Sequence, residues 1–242
     1  MTCYPPRMDE TTSQIIEGLK GLGLPVGAEV ALLLATHLQM VYETNRELNL
    51  TAIPENAGVV LHVLDSAAAL PYLNKAPQGP FADLGSGAGF PGVTLAALSG
   101  REVALVESVR KKAAFLERVV EALRLKATVH PVRAEELADE RRAGFAAVTA
   151  RALSALPSLV ELASPLLEEG GLLVCLKGEP EEAELRRGDV AGALCGMKRI
   201  ATERVSVPGA DAVRTMVVYE RSGTPKTRLP RRNGMAQRQP LA

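Results

Sequence analysis

Residues 81–92 read FADLGSGAGFPG: an apolar lead-in, an acid, and glycines at 85, 87, 89 and 92. No other stretch restricts the fold as strongly. Alternating glycines directly after a strand let backbone come close to a ligand, because no Cβ intervenes. They also commit the chain to a strand–turn–helix unit. The dinucleotide pattern is GxGxxG with an acid about 20 residues further on. Here the slot of the last glycine holds Phe90, followed by Pro91 in a position that suits a first helical turn. A phenyl ring there would crowd a pyrophosphate lying over the helix N-terminus. A nucleoside cofactor without a pyrophosphate fits better, and S-adenosyl-L-methionine is such a molecule. Backbone at Gly85 and Gly87 can approach its amino-acid end, and Glu107, ending the next strand, can accept both ribose hydroxyls.

Around the turn the apolar period changes. Before it, Ile15, Ile16 and Leu19 share one helical face, as do Leu32, Leu33 and several neighbours in the next run, and GVVLHVLDSAAALPYL continues as a third until Pro71. The breaker-rich NKAPQGP follows. From there short apolar runs (PFADLG, EVALVES, ATVHPV, AAVTAR, GLLVCLKG) alternate with amphipathic ones such as KKAAFLERVVEAL. That alternation predicts an α/β fold built from βαβ units, with a parallel sheet and helices on both faces. KRIATERVSV and VRTMVVYER, separated by PGADA, predict a closing antiparallel pair. From Thr224 the chain carries five cations, no acids and three prolines, which predicts a basic extended arm. The expected organisation is a helical extension at 1–76, a catalytic domain at 77–222 and the arm at 223–242.

Composition narrows the function. Lys+Arg and Asp+Glu balance at 28 each, which argues against bulk electrostatic binding to nucleic acid but permits a local basic patch. Aromatic residues are only 3% and Trp is absent, so a base-stacking platform is not expected. Cys3, Cys175 and Cys195 are far apart, without a CxxC, and His37, His62 and His130 are equally scattered. This spacing predicts a reducing compartment, no disulfide framework and no metal site. MTCYPPRMDE contains no apolar targeting core, and the longest apolar stretch, Val30 to Tyr42, is too short to span a bilayer. A cytoplasmic protein without membrane attachment is expected.

In an open parallel sheet, ligands bind beyond the carboxyl ends of the strands. Asp83 and Gly85, then Glu107, then Arg133, Ala134 and Glu135, then Arg151, then Lys177 all fall at such ends. Arg133 and Lys177 read as ordinary polar strand ends; Arg151 follows a fully apolar run.

FADLGSGAGFPGVTLA, ALVESVRKKAAFLERV, VRAEEL, VTARALSAL and LKG together resemble the glucose-inhibited division protein B family. The match extends to NRELNLTAI, HVLDS and the tail PRRNGMAQRQPL. Members are bacterial 16S rRNA guanine-N7 methyltransferases. The resemblance implies a class I S-adenosylmethionine-dependent methyltransferase domain: Rossmann-like, with a mostly parallel seven-stranded sheet, an antiparallel final strand and an N-terminal helical extension. It implies that Gly85 and Phe90 line the methionine end of the cofactor, that Glu107 is the ribose acid, that Ala134 and Glu135 lie beside the adenine, and that Arg151 is the arginine after strand four. The chain departs from the family in having Thr44 where a Trp is common and Leu61 where a cation is common. The implied partner is 16S rRNA or a precursor small subunit, acted on by a monomer.

Guanine N7 is a neutral lone pair, so attack on a sulfonium methyl needs no prior proton removal, and no catalytic base is assigned. N7 is out of reach in an A-form helix, which makes an unpaired loop the expected target. Arg110, Lys111 and Lys112 open a helix, where cations oppose its dipole and a bound phosphate would offset the cost. Lys226, Arg228, Arg231 and Arg232 of the arm are the stronger RNA candidates, being basic without acids nearby. His62, Asp65 and Asn49 are expected to fix the packing of the helical extension. Three readings compete with the leading one: a small-molecule methyltransferase, an NAD-dependent dehydrogenase and a non-catalytic nucleotide-binding regulator. Phe90 argues against the dehydrogenase.

Overall fold

The computed structural model describes residues 8–211 and 213–242, and Cys3 lies outside the described residues. Helix α1 (Met8–Gly21) buries Thr11, Ile15 and Leu19 on one face. Asp9 and Glu10 stand in its first turn and Lys20 in its last, each complementing the helix dipole. Helix α2 (Ala28–Asn45) buries Ala31, Leu34, Leu38 and Val41 on one stripe, while Leu32, expected on the apolar face, turns to solvent at 49% exposure. The third run is less regular than its pattern predicts. Val59–Leu64 winds as a π-helical turn that leads into two short helices, α3 (Asp65–Ala67) and α4 (Leu70–Leu73). Pro71 does not end the run. It sits in the first turn of α4, where its missing N–H has no partner to lose.

The alternating part follows as β1 (Phe81–Leu84), α5 (Gly92–Ser99), β2 (Val103–Val106), α6 (Arg110–Leu123), β3 (Ala127–His130) and α7 (Ala134–Glu140). It continues as β4 (Phe145–Arg151), α8 (Leu156–Ala163), β5 (Leu167–Lys177), α9 (Glu182–Cys195), β6 (Met197–Val205), β7 (Arg214–Arg221) and α10 (Met235–Arg238). The seven strands lie in the order β3-β2-β1-β4-β5-β7-β6. The first five run parallel, and β7 enters antiparallel to both β5 and β6. Strands β1 and β2 are buried along their whole length, which is why they read as unbroken apolar runs.

Two cores flank the sheet. One joins α1 to α6 through residues such as Leu34, Phe81, Leu95 and Phe115. The other joins α7 to α10 through residues such as Leu84, Leu137, Leu159 and Tyr219. Strand β1 pairs with β2 on one side and β4 on the other, so the order reverses at β1. That switch point opens a crevice at the strands' carboxyl ends.

The arm corrects its expected description. Residues beyond 223 are packed, not extended into solvent: Leu229 and Ala236 are buried in the second core. Arg231 reaches the buried Glu161 through two hydrogen bonds of 2.6 Å each. The acids that hold this segment, Glu135 and Glu136 on α7 and Glu161 on α8, stand far away in sequence, so local composition gave no sign of them.

Candidate functional site

Asp83, the acid of the glycine stretch, does not face the crevice. It is fully buried; one carboxylate oxygen accepts from the Gly92 N–H at 3.1 Å and the other from the Thr149 hydroxyl at 2.7 Å. It therefore ties the start of α5 to β4. Gly92 must be glycine, because a Cβ there would sit 2.8 Å from the Asp83 Cβ. Burial pushes the Asp83 carboxyl up to about 6.

The turn itself folds over the end of β2. Gly85 and Ser86 both donate to the Val106 carbonyl, at 2.9 and 3.1 Å. Glu107 then holds two loops at once: its Oε2 accepts from the Gly87 N–H at 3.0 Å and its Oε1 from the Val109 N–H at 2.7 Å. Each oxygen keeps a further acceptor site. Gly87 has φ +55°, yet a Cβ built there would meet no protein atom nearer than 3.7 Å. Space beside this turn is left open.

Two clefts meet at the turn, sharing Gly85, Gly87 and Ala152. The first, about 240 Å³, is bounded by Glu107, Ala134, Glu135 and, from the tail, Gln237. The second, about 500 Å³, is bounded by Thr51, His62, Phe90, Arg151 and Lys177. All of Gly85, Gly87, Phe90, Glu107, Ala134, Glu135 and Arg151 thus fall on one continuous crevice. Two of them have further duties that the sequence did not suggest. The Glu135 carboxylate is buried and accepts the Gly234 N–H of the tail at 2.6 Å. Phe90 shows little surface; its ring lies between His37 and His62, with centroids 4.5 and 4.4 Å away.

Arg151 links the end of β4 to the helical extension. Its guanidinium donates to the Leu61 carbonyl at 2.9 Å, to Asp65 Oδ2 at 2.9 Å and to His62 Nδ1 at 3.0 Å. It also stands 5.5 Å from the centre of the Phe90 ring. Asp65 is 3% exposed and takes a second cation, Arg214 of β7. His62 Nε2 lies 2.9 Å from the Thr51 hydroxyl, and His37 Nε2 lies 2.8 Å from the Ala88 carbonyl. Burial, with Arg151 adding to it, lowers His62 to about 3, and burial lowers His37 to about 4. Both imidazoles are neutral. Lys177 is held by Glu184 Oε1 at 2.8 Å and by the Ser154 carbonyl at 3.2 Å.

His62 and Asp65 do fix the packing of the extension, as expected, but they also line the second cleft. Asn49 is exposed; Asn45 orders the following loop, its Oδ1 accepting from Leu50 and Thr51 at 2.8 and 3.0 Å. Thr51 and Arg214 were not singled out, although Thr51 lies within the quoted NRELNLTAI. Of the expected RNA-facing cations, Arg110 and Lys111 are exposed and Lys112 borders the first cleft. Arg231 is committed to Glu161 and is withdrawn from that role.

Residues 32–211 match the family model described as rRNA small subunit methyltransferase G, GidB. A Ribosomal RNA small subunit methyltransferase G from Deinococcus deserti is 39% identical over 238 residues, covering 96% of this chain and 97% of that protein. Another so named, from Geobacillus thermodenitrificans, is 32% identical over 228 residues, covering 92% and 96%. Among solved structures, geranyl diphosphate C-methyltransferase from Streptomyces coelicolor superposes with a TM-score of 0.53 at 14% identity, covering 76% of this chain and 97% of that one. That likeness concerns the fold. No described helix is long and apolar enough to cross a membrane.

Proposed function

The chain belongs to the rRNA small subunit methyltransferase G family, and from that premise we propose that it transfers a methyl group from S-adenosyl-L-methionine to N7 of a guanine in a loop of 16S rRNA. The observation that carries the reading is the glycine turn shared by two clefts. One cleft suits a nucleoside, the other a methionine end together with an incoming base.

The residues present fit the cofactor. The space beside Gly87 is a cradle that a side chain would fill, and Glu107 offers spare acceptor sites to ribose hydroxyls. Ala134 and Glu135 would flank the adenine; Gly85, Phe90 and Arg151 would border the methionine end. When bound, the cofactor supplies an electrophilic methyl on a sulfonium. The chain supplies position. No group need take a proton from N7: both ring nitrogens of His62 are already in hydrogen bonds, and His37, whose Nδ1 has no partner, is fully buried. Holding two reactants in line can contribute about 7–11 kcal/mol.

The substrate is an unpaired guanine, because the deep major groove of A-form RNA hides N7. Its source is 16S rRNA, free or within a precursor small subunit, met in the cytoplasm by a monomer. Lys112, which borders the first cleft, and the exposed Arg110 and Lys111 that precede it would take phosphates.

Methyl transfer from labelled cofactor to protein-free rRNA, precursor particles and small subunits, with the product base mapped, tests this. Label on N7 of a guanine in one loop of 16S rRNA is expected. Label on another atom, or on none of the three substrates, overturns it. Equilibrium dialysis should show binding of S-adenosylmethionine and none of NAD.

A further inference from the structure

The tail supplies a wall of the first cleft. Three acids of the second layer hold it there. The buried Glu161 takes the Arg231 guanidinium with two 2.6 Å bonds. Glu135 accepts the Gly234 N–H at 2.6 Å, and Glu136 accepts the Asn233 side-chain amide at 2.6 Å. Leu229 and Ala236 are buried beneath. So anchored, α10 places Gln237 in the lining of the cleft that Glu107 and Ala134 also border. Val132, Leu153 and Leu162 supply apolar surface to the same cleft, beside the charged Lys112, Arg133 and Glu135. Gln237 is exposed, and its amide has no protein hydrogen-bond partner among the described residues.

A flat heterocycle resting on Val132, Leu153 and Leu162 would have its faces against carbon and its edge toward the tail. A primary amide carries a donor and an acceptor side by side. Adenine presents a matching pair, an N6 amino donor beside a ring-nitrogen acceptor. We infer that Gln237 reads the adenine edge of the cofactor and is a specificity-determining residue supplied by the tail. The inference rests on the reading that the nucleoside occupies the Glu107 cleft. It explains why a basic segment is pinned by three acids: the anchoring fixes the one uncharged amide that faces the base.

The test is calorimetric titration of the full-length protein with S-adenosylhomocysteine and with its inosine counterpart, which has a carbonyl in place of the N6 amine. The wild-type protein should prefer the adenine compound by about tenfold or more. Gln237→Leu keeps the bulk and removes the amide. It should unfold at the same temperature as wild type without ligand, and should bind the two compounds within about twofold of each other. Gln237→Asn, with the same amide on a shorter arm, should retain part of the preference. An undiminished preference in Gln237→Leu overturns the role of Gln237 while leaving the nucleoside cleft in place. If the wild-type protein binds neither compound, the cleft assignment itself fails, which is a distinguishable result.

Discussion

Arg151 and His62 meet at 3.0 Å through a guanidinium nitrogen and the imidazole Nδ1. A guanidinium has donors only, so Nδ1 must be the acceptor and the ring proton must sit on Nε2. From there it points to the Thr51 hydroxyl at 2.9 Å, which also receives the Ile53 N–H at 3.0 Å. With both of its lone pairs occupied, the Thr51 hydroxyl proton is left to point outward. One arginine at the end of β4 thereby sets the protonation state of a histidine and the orientation of a hydroxyl on the cleft wall.

Acid should therefore weaken the fold through this network. His62 and His37 are lowered to about 3 and about 4, against 6.5 for a free imidazole. Below pH 6.5 the unfolded chain takes up protons that the folded chain refuses. Stability is then lost as pH falls from about 6.5 toward those lower values. Asp83 acts oppositely: raised to about 6, it favours the folded state at low pH and loses that contribution as pH rises from about 4 to about 6. Two histidines against one aspartate leave a net loss on acidification. Urea denaturation at pH 7 and pH 5 should show that His62→Gln loses about 2 kcal/mol less over that interval than wild type. Identical losses in the two proteins would show that His62 titrates normally in the fold.

Gly87→Val should abolish cofactor binding and spare the fold. Its positive φ costs a branched residue about 1–2 kcal/mol, but no protein atom opposes the new Cβ within 3.7 Å. The side chain would fill the opening that the ligand needs. Calorimetry should find no S-adenosylmethionine binding, while circular dichroism keeps the native spectrum. Undiminished affinity would remove the turn from the site.

Arg231→Ala should destabilise the protein by about 3–5 kcal/mol, because it strands the Glu161 carboxylate, which is 3% exposed, without a partner. Deleting residues from 224 onward should lower the melting temperature and S-adenosylmethionine affinity together. A free basic arm would behave otherwise: its loss would leave both unchanged and reduce only the salt dependence of RNA binding.

The strands, the closing antiparallel pair and the crevice were legible in the sequence because each depends on local patterning. Val103–Val106 and Phe145–Ala150 announce buried strands by themselves, and a polar residue after each marks the same sheet edge. That Gly85, Gly87 and Glu107 border the crevice could be read from the turn and the strand ends alone. What escaped reading depends on pairs distant in sequence. Arg231 and Glu161 are 70 residues apart, and Gly234 and Glu135 are 99 apart, so a tail rich in cations looked unpartnered. His62 was visible as a packing residue but not as a cleft residue, because Arg151, which orients it, lies 89 positions away.

Asp65 carries a consequence for how the chain reaches its native state. Its carboxylate is buried in the first third of the sequence, yet its two cations come from β4 and β7, 86 and 149 residues later. Until those strands are in the sheet, the extension cannot bury that charge without a heavy penalty. Contacts of such separation form late, since the loop entropy is spent before they return anything. The segment that begins the chain is thus among the last to be secured. Amide protons of Val59–Leu64 should gain protection from exchange only after those of the central strands.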